Sequence, residues 1–233
     1  MTVIGLQATL PHIVTAIGGL GTAASGLVDA TKVFWGGVNH IGFKGIRAAV
    51  TPLTPSNTDT KQLVNALSQT RILATLQANW MNGTDLGSQK AIAKSLIKLN
   101  LNPGNASALA AATGVDSGVL AAVAANIAAG KPLEPAQSDV FARFDLIVTA
   151  LLDEAYQRSD QVYRNGTRAW AVVASVVLAL AGGIMLHAGS QLSGKDIAES
   201  LLVGLLATPL APIAKDLSTA LATAVNTLQL VKK

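Results

Sequence analysis

Of 233 residues, half are apolar, 13% are charged and none is cysteine, which excludes disulfides, thiolate metal sites and a cysteine nucleophile. Aromatics make up only 4%, so an ordinary globular core would lack large packing anchors. A mean hydropathy of +0.44 with abundant Gly and Ala suits helices that pack closely in lipid. The net charge of +4 fits an anionic membrane surface or nucleic acid, and the placement of the cations decides between them.

Residues 3–28 carry no Asp, Glu, Lys or Arg, and Met1–Leu6 lacks the basic stretch of a secretory signal peptide. Residues 1–28 are therefore expected to be a first membrane segment, helical from about Leu10 to Val28. Gly5, Pro11, Gly18, Gly19, Gly21 and Gly26 weaken that helix unless neighbours pack against it. A re-entrant or interfacial segment is the alternative. Residues 29–56 read as an interfacial or Gly-rich linker. As a short amphipathic helix it would place Phe34, Trp35 and Phe43 among lipid headgroups and turn Lys44 and Arg47 to water. Pro52 and Pro55 end it.

From 57 to 134 the pattern becomes that of a cytoplasmic helical domain. Leu63, Leu67, Ile72 and Leu76 approximate helical spacing through Trp80, and Asn82-Gly83 closes the helix. Ala91, Ile92, Leu96 and Leu99 mark a second, with Lys90, Lys94 and Lys98 on a stripe of their own. After the turn Asn102-Pro103-Gly104, two Ala-rich helices occupy about 105–112 and 116–129, and Gly130-Lys131-Pro132 breaks the run.

A juxtamembrane stalk helix is expected over 135–168, with Phe141, Phe144, Ile147, Val148, Leu151, Leu152 and Tyr156 on one broad face. The central transmembrane helix follows at 169–188. It carries no charge from Ala169 to Leu186, and a bilayer core of roughly 30 Å needs about 20 such residues. Arg164 and Arg168 precede it, and Trp170 sits at an interfacial position. Unbroken from 135 to 186, the two would form one helix of roughly 80 Å, with only Gly166 as a hinge. A third transmembrane segment is placed at 197–214, where Pro209 and Pro212 are expected to kink the helix or unwind a turn. The amphipathic tail 215–233 would lie on the membrane or under the bundle.

Cations follow the first and third segments (Lys32, Lys44, Arg47; Lys215, Lys232, Lys233) and precede the central one, while the intervening link has only Lys195. The positive-inside rule then puts the N-terminus outside and 29–168 and the C-terminus in the cytoplasm, a multi-pass arrangement in a cytoplasmic (inner) membrane. The stretch 144–183, with Tyr163, Arg164, Arg168 and the apolar run after them, resembles a juxtamembrane-plus-span pattern in uncharacterised bacterial inner-membrane proteins. That resemblance implies a bacterial cytoplasmic membrane and no particular activity. The expected fold is thus all-α: about three transmembrane helices plus a cytoplasmic helical domain joined by a long juxtamembrane helix.

Residues 109–133 have the layout of a helix-turn-helix, but the second helix offers only Asn126 to base edges, so no nucleic acid partner is expected. His12, His40 and His187 lack metal-ligand spacing, and Asp153 and Glu154 occupy adjacent helical positions that point apart. No Walker A or GxGxxG loop is present. No enzyme activity, metal, cofactor or small-molecule substrate is expected. What remains is a set of small residues at every fourth position: Ala171, Ser175, Ala179 and Gly183; Gly18, Thr22 and Gly26; Ser200, Gly204 and Thr208. Such stripes allow close helix contact, within one chain or between copies. They point to a non-enzymatic membrane scaffold, adaptor or accessory subunit in the lipid bilayer, a homo-oligomer or part of a larger membrane complex. The alternative is an oligomeric pore, against which stands the near absence of polar side chains beyond Ser and Thr in the spans.

Overall fold

The computed structural model describes residues 10–34, 36–55, 68–187 and 193–231, and every regular element among them is helical. Eight α-helices follow in order: α1 Leu10–Ala30, α2 Phe43–Val50, α3 Gln69–Met81, α4 Leu86–Asn100, α5 Ala106–Thr113, α6 Ser117–Ala128, α7 Pro135–Leu186 and α8 Gly194–Val231. They divide into two compact units, one from the described residues of 1–38 and 164–233, the other from those of 39–163.

The unit 39–163 is a helical domain with an aliphatic and aromatic core. Local chemistry sets its helix starts: Ser68 accepts from the N–H of Arg71, Asp85 from Ser88 and Asp116 from Val119. Gly114, at φ +67°, closes α5 by donating to the carbonyl of Ala110. One face of α3 buries Ile72, Leu76 and Trp80, and α7 buries Phe144, Val148, Leu152 and Tyr156, both at every fourth position. Truncating one of these large aliphatic side chains to Ala would cost about 2–5 kcal/mol.

The lysine stripe of α4 meets acidic residues of α7. Lys94 and Lys98 reach Asp145 at 2.6 and 2.9 Å, and Lys90 reaches Asp153. Burial alone would raise the pKa of Asp145, but hydrogen bonds from the two lysines outweigh it and hold the carboxyl below its usual value of 3.8.

Asn39 ties the unit together. Its side chain donates to the carbonyl of Met81 at 2.7 Å and accepts from the Tyr163 hydroxyl at 3.2 Å, while its own carbonyl accepts from Trp80 Nε1 at 2.8 Å. Trp80 in turn stands edge-on to Tyr163, with ring centroids 6.1 Å apart. Gly42 sits beside this cluster at φ +93°, where a Cβ would come within 2.5 Å of the Ser159 carbonyl and 2.9 Å of Trp80. Burial pushes the Tyr156 phenol up to about 12.

Several expectations change here. A helix forms at 43–50, but Phe43, Ile46 and Val50 bury its apolar face in this protein core, so Phe43 is not a headgroup residue. An amphipathic stripe looks the same in sequence whether protein or lipid covers it. Leu63 and Leu67 lie outside the described residues, and α3 begins only at Gln69. Asn126 donates to Gln137 at 2.9 Å, which occupies the single base-reading candidate of the α5–α6 corner. Finally, α7 passes Gly166 without a break, and α8 continues through Pro209 and Pro212. Proline removes an N–H from the helical ladder, yet its fixed φ near −65° is itself helical, so an α-helix can carry it through.

Candidate functional site: the seam between the apolar helices

Among the described residues, three helices are long and apolar enough to cross a membrane: Ile13–Val33, the apolar end of Pro135–Leu186, and Gly194–Leu217. They belong to the same unit and meet through small residues. The end of α7 and the start of α8 form an antiparallel hairpin in which Gly183 faces Ser200, and Ser175 and Val176 face Gly204. A Cβ added at Gly204 would stand 2.5 Å from Val176 Cα, and one at Gly183 would stand 2.5 Å from Ser200 Oγ. At Gly204, where the neighbour is backbone, only glycine permits this approach, whereas at Gly183 the neighbour is a hydroxyl that can rotate.

Ser175 lies at the middle of the hairpin and is fully buried. Its Oγ is 2.9 Å from the Val172 carbonyl, 2.7 Å from the Gly204 carbonyl and 3.4 Å from Thr208 Oγ1. A hydroxyl has one proton, so the two carbonyls share it or take it in turn, while its lone pairs can accept from Thr208. This gives the apolar hairpin one polar cross-link.

Helix α1 joins through Gly18, which abuts Leu210, Ala211 and Ala214, and Gly21, which abuts Ala207 and Thr208. Here the spacing departs from expectation. Thr22 and Gly26 are exposed, and a Cβ on Gly26 would meet nothing within 4 Å. The buried residues are Gly18, Gly21, Ala24 and Val28. Four residues turn a helix by about 40° more than a full circle, so a strict every-fourth stripe winds off the contact face. Alternating steps of three and four stay on it, and that signal finds Gly21 and Ala24. Along α8 the same alternation joins Gly204, Ala207 and Ala214, all buried, whereas Ser200 and Thr208 flank the contact half-buried. On α7, Ala171 is buried with Ser175, and Ala179 and Gly183 line a cavity. Large apolar side chains such as Val173, Val177, Ile184, Leu202, Leu205 and Ile213 point outward.

Of the residues expected at a membrane interface, Arg164, Arg168 and Trp170 are exposed on α7. Arg168 lines a small cavity of about 180 Å³ with Ser25, Asp29, Thr167 and Thr208. Lys44 and Arg47 are exposed on α2 in the other unit, where Arg47 hydrogen-bonds Gln77 at 3.2 Å and covers the Phe43 ring. Trp35 lies outside the described residues.

At the other end of the hairpin, His187 Nδ1 donates to the Gly183 carbonyl at 2.9 Å, and its Nε2 is 3.8 Å from Asp196 Oδ1. Asp196 also accepts from the Ser193 N–H at 2.9 Å and hydroxyl at 2.8 Å, so it both starts α8 and faces the histidine. Both residues edge a cavity of about 420 Å³. Among the described residues, no group of three or more His, Cys, Asp or Glu could hold a metal ion. The arrangement can pack helices and accept an apolar or amphiphilic molecule.

No family model, curated protein or solved structure matches the chain.

Proposed function

We propose that the chain is a non-enzymatic membrane scaffold or adaptor. Three helices would hold it in the bilayer of a bacterial inner membrane, and the helical unit 39–163 would offer its cytoplasmic surface to a partner. The observation that carries this reading is the division of labour around α7 and α8, with Gly and Ser turned to the seam and large aliphatic side chains turned outward. That is how an anchoring bundle in lipid distributes its residues. The small faces of α7 and α8 meet each other within one chain, while Thr22 and Gly26 of α1 stay exposed and would be the face for self-association. A pore running between α7 and α8 of one chain is disfavoured by the same contacts, since Gly204 against Val176 and the buried Ser175 close the middle of that seam.

The reading assigns 193–197 to the outside and 39–163 to the cytoplasm. A cysteine replacing Lys195 should react with an impermeant reagent in intact cells, while one replacing Ser88 should react only after lysis. The reverse pattern would overturn the orientation. Mild-detergent purification should then recover a partner at fixed stoichiometry that is lost when the surface of 39–163 is mutated but retained when the outward faces of α7 and α8 are.

A further inference from the structure

The 420 Å³ cavity at the His187 end of the bundle has the size of a ligand pocket, for which roughly 300–1,000 Å³ is usual. Leu20, Leu178, Leu186 and Val203 give it apolar walls, and Gly182 and Gly183 leave it room. One edge is charged, with Asp196 and Glu199 three positions apart on α8. Resting on the membrane reading above, we propose that this cavity holds a phospholipid with a primary ammonium headgroup, phosphatidylethanolamine. One acyl chain would lie along the leucines and the ammonium on the carboxylate edge.

Two features select this occupant. An apolar recess that opens within a bilayer is filled by the surrounding solvent, which there is hydrocarbon. The edge then discriminates between headgroups. A net anionic headgroup would be pressed against two carboxylates and repelled. A primary ammonium offers three N–H donors, whereas a quaternary one offers none. Asp196 already serves the Ser193 cap through Oδ2 and faces His187 through Oδ1, while Glu199 meets Lys195 through Oε1 alone, so the ammonium would share Glu199 with that lysine. Lys195 lies 3.7 Å from Glu199, so one cation stands at the same edge and suits the phosphate of the same zwitterion.

Full-length chain in mild detergent, incubated with phosphatidylethanolamine, phosphatidylcholine or phosphatidylglycerol of matched acyl chains, tests this by native mass spectrometry. Phosphatidylethanolamine should be retained about tenfold more than either of the others, the scale of one charge-assisted hydrogen bond. Glu199→Gln should remove that preference while leaving the helical circular dichroism spectrum intact. Ala16→Phe, which fills the cavity wall, should reduce retention of all three lipids. Equal retention of the three headgroups, or an unchanged preference in Glu199→Gln, would overturn the assignment. Extraction of the chain by carbonate would instead overturn the membrane reading beneath it, whereas a membrane-retained chain without headgroup preference overturns the lipid site alone.

Discussion

Ser175 Oγ stands 2.7 Å from the carbonyl of Gly204, whose own Cα is so near Val176 that no side chain fits between the two helices. Hydrogen bond and close approach depend on each other, because a larger residue at 204 would move the carbonyl out of reach. Gly204→Leu should therefore lower the thermal aggregation temperature in mild detergent sharply, an overpacking cost of about 1–3 kcal/mol plus the lost bond. Gly26→Leu, with open space around it, should be tolerated. Equal effects at both positions would separate stability from the seam.

Membrane retention should depend on the outward face of α7. Val177→Arg with Leu180→Arg adds two cations near the middle of the apolar run, each costing about 2.5–3.5 kcal/mol on the insertion scale. Carbonate extraction should release the double variant and leave the wild type in the membrane pellet. Retention of both would show that α1 and α8 suffice.

The contact of Lys94 and Lys98 with Asp145 predicts an acid-sensitive junction between α4 and α7. The Asp145 pKa is lowered on folding, so its contribution is present above the unfolded value of 3.8 and is lost as pH falls through the lower folded value. Because the pairs are partly exposed, each should be worth about 0–1 kcal/mol and weaken in salt. Amide hydrogen exchange in α4 should be faster in Asp145→Asn than in wild type at neutral pH, and the two should converge in strong acid. A difference that persisted there would assign the effect to packing.

Gly42, immediately before α2, should resist replacement. An Ala there must adopt φ +93° and collide with the Ser159 carbonyl and Trp80, a combined strain of about 2–3 kcal/mol. Gly83, at φ +68° with nothing near its Cβ position, carries the backbone strain alone. Comparing denaturant midpoints of Gly42→Ala and Gly83→Ala isolates the steric part, and equal midpoints would remove it.

Periodicity exposes some of this structure in the sequence. Ile72, Leu76 and Trp80, and Phe144, Val148, Leu152 and Tyr156, recur at helical spacing and are buried. The charge-free run after Arg168 identifies the apolar end of α7, and Ser175, Gly204 and Thr208 can be picked out as small or hydroxylic positions. Other features depend on partners distant in the chain. Lys90, Lys94 and Lys98 form a visible stripe, but their pairing with Asp145 and Asp153 follows only from the docking of α4 on α7. Phe43 reads equally as lipid-facing or core, and Gly21 is hidden among so many glycines that only its neighbours on α8 single it out. Asn39, a lone polar residue in a Gly-rich stretch, gives no hint that Met81, Trp80 and Tyr163 converge on it.

The pairing of Gly18 and Gly21 with residues 207–214 sets a schedule for biogenesis. The first helix leaves the ribosome with its glycine face bare, and its partners are synthesised nearly two hundred residues later. At about 5–20 residues per second, that interval is on the order of ten seconds or more. On the membrane reading proposed above, the glycine-weakened α1 must be kept in place through that interval by the insertion machinery or by lipid alone, so maturation of the anchor waits for α8.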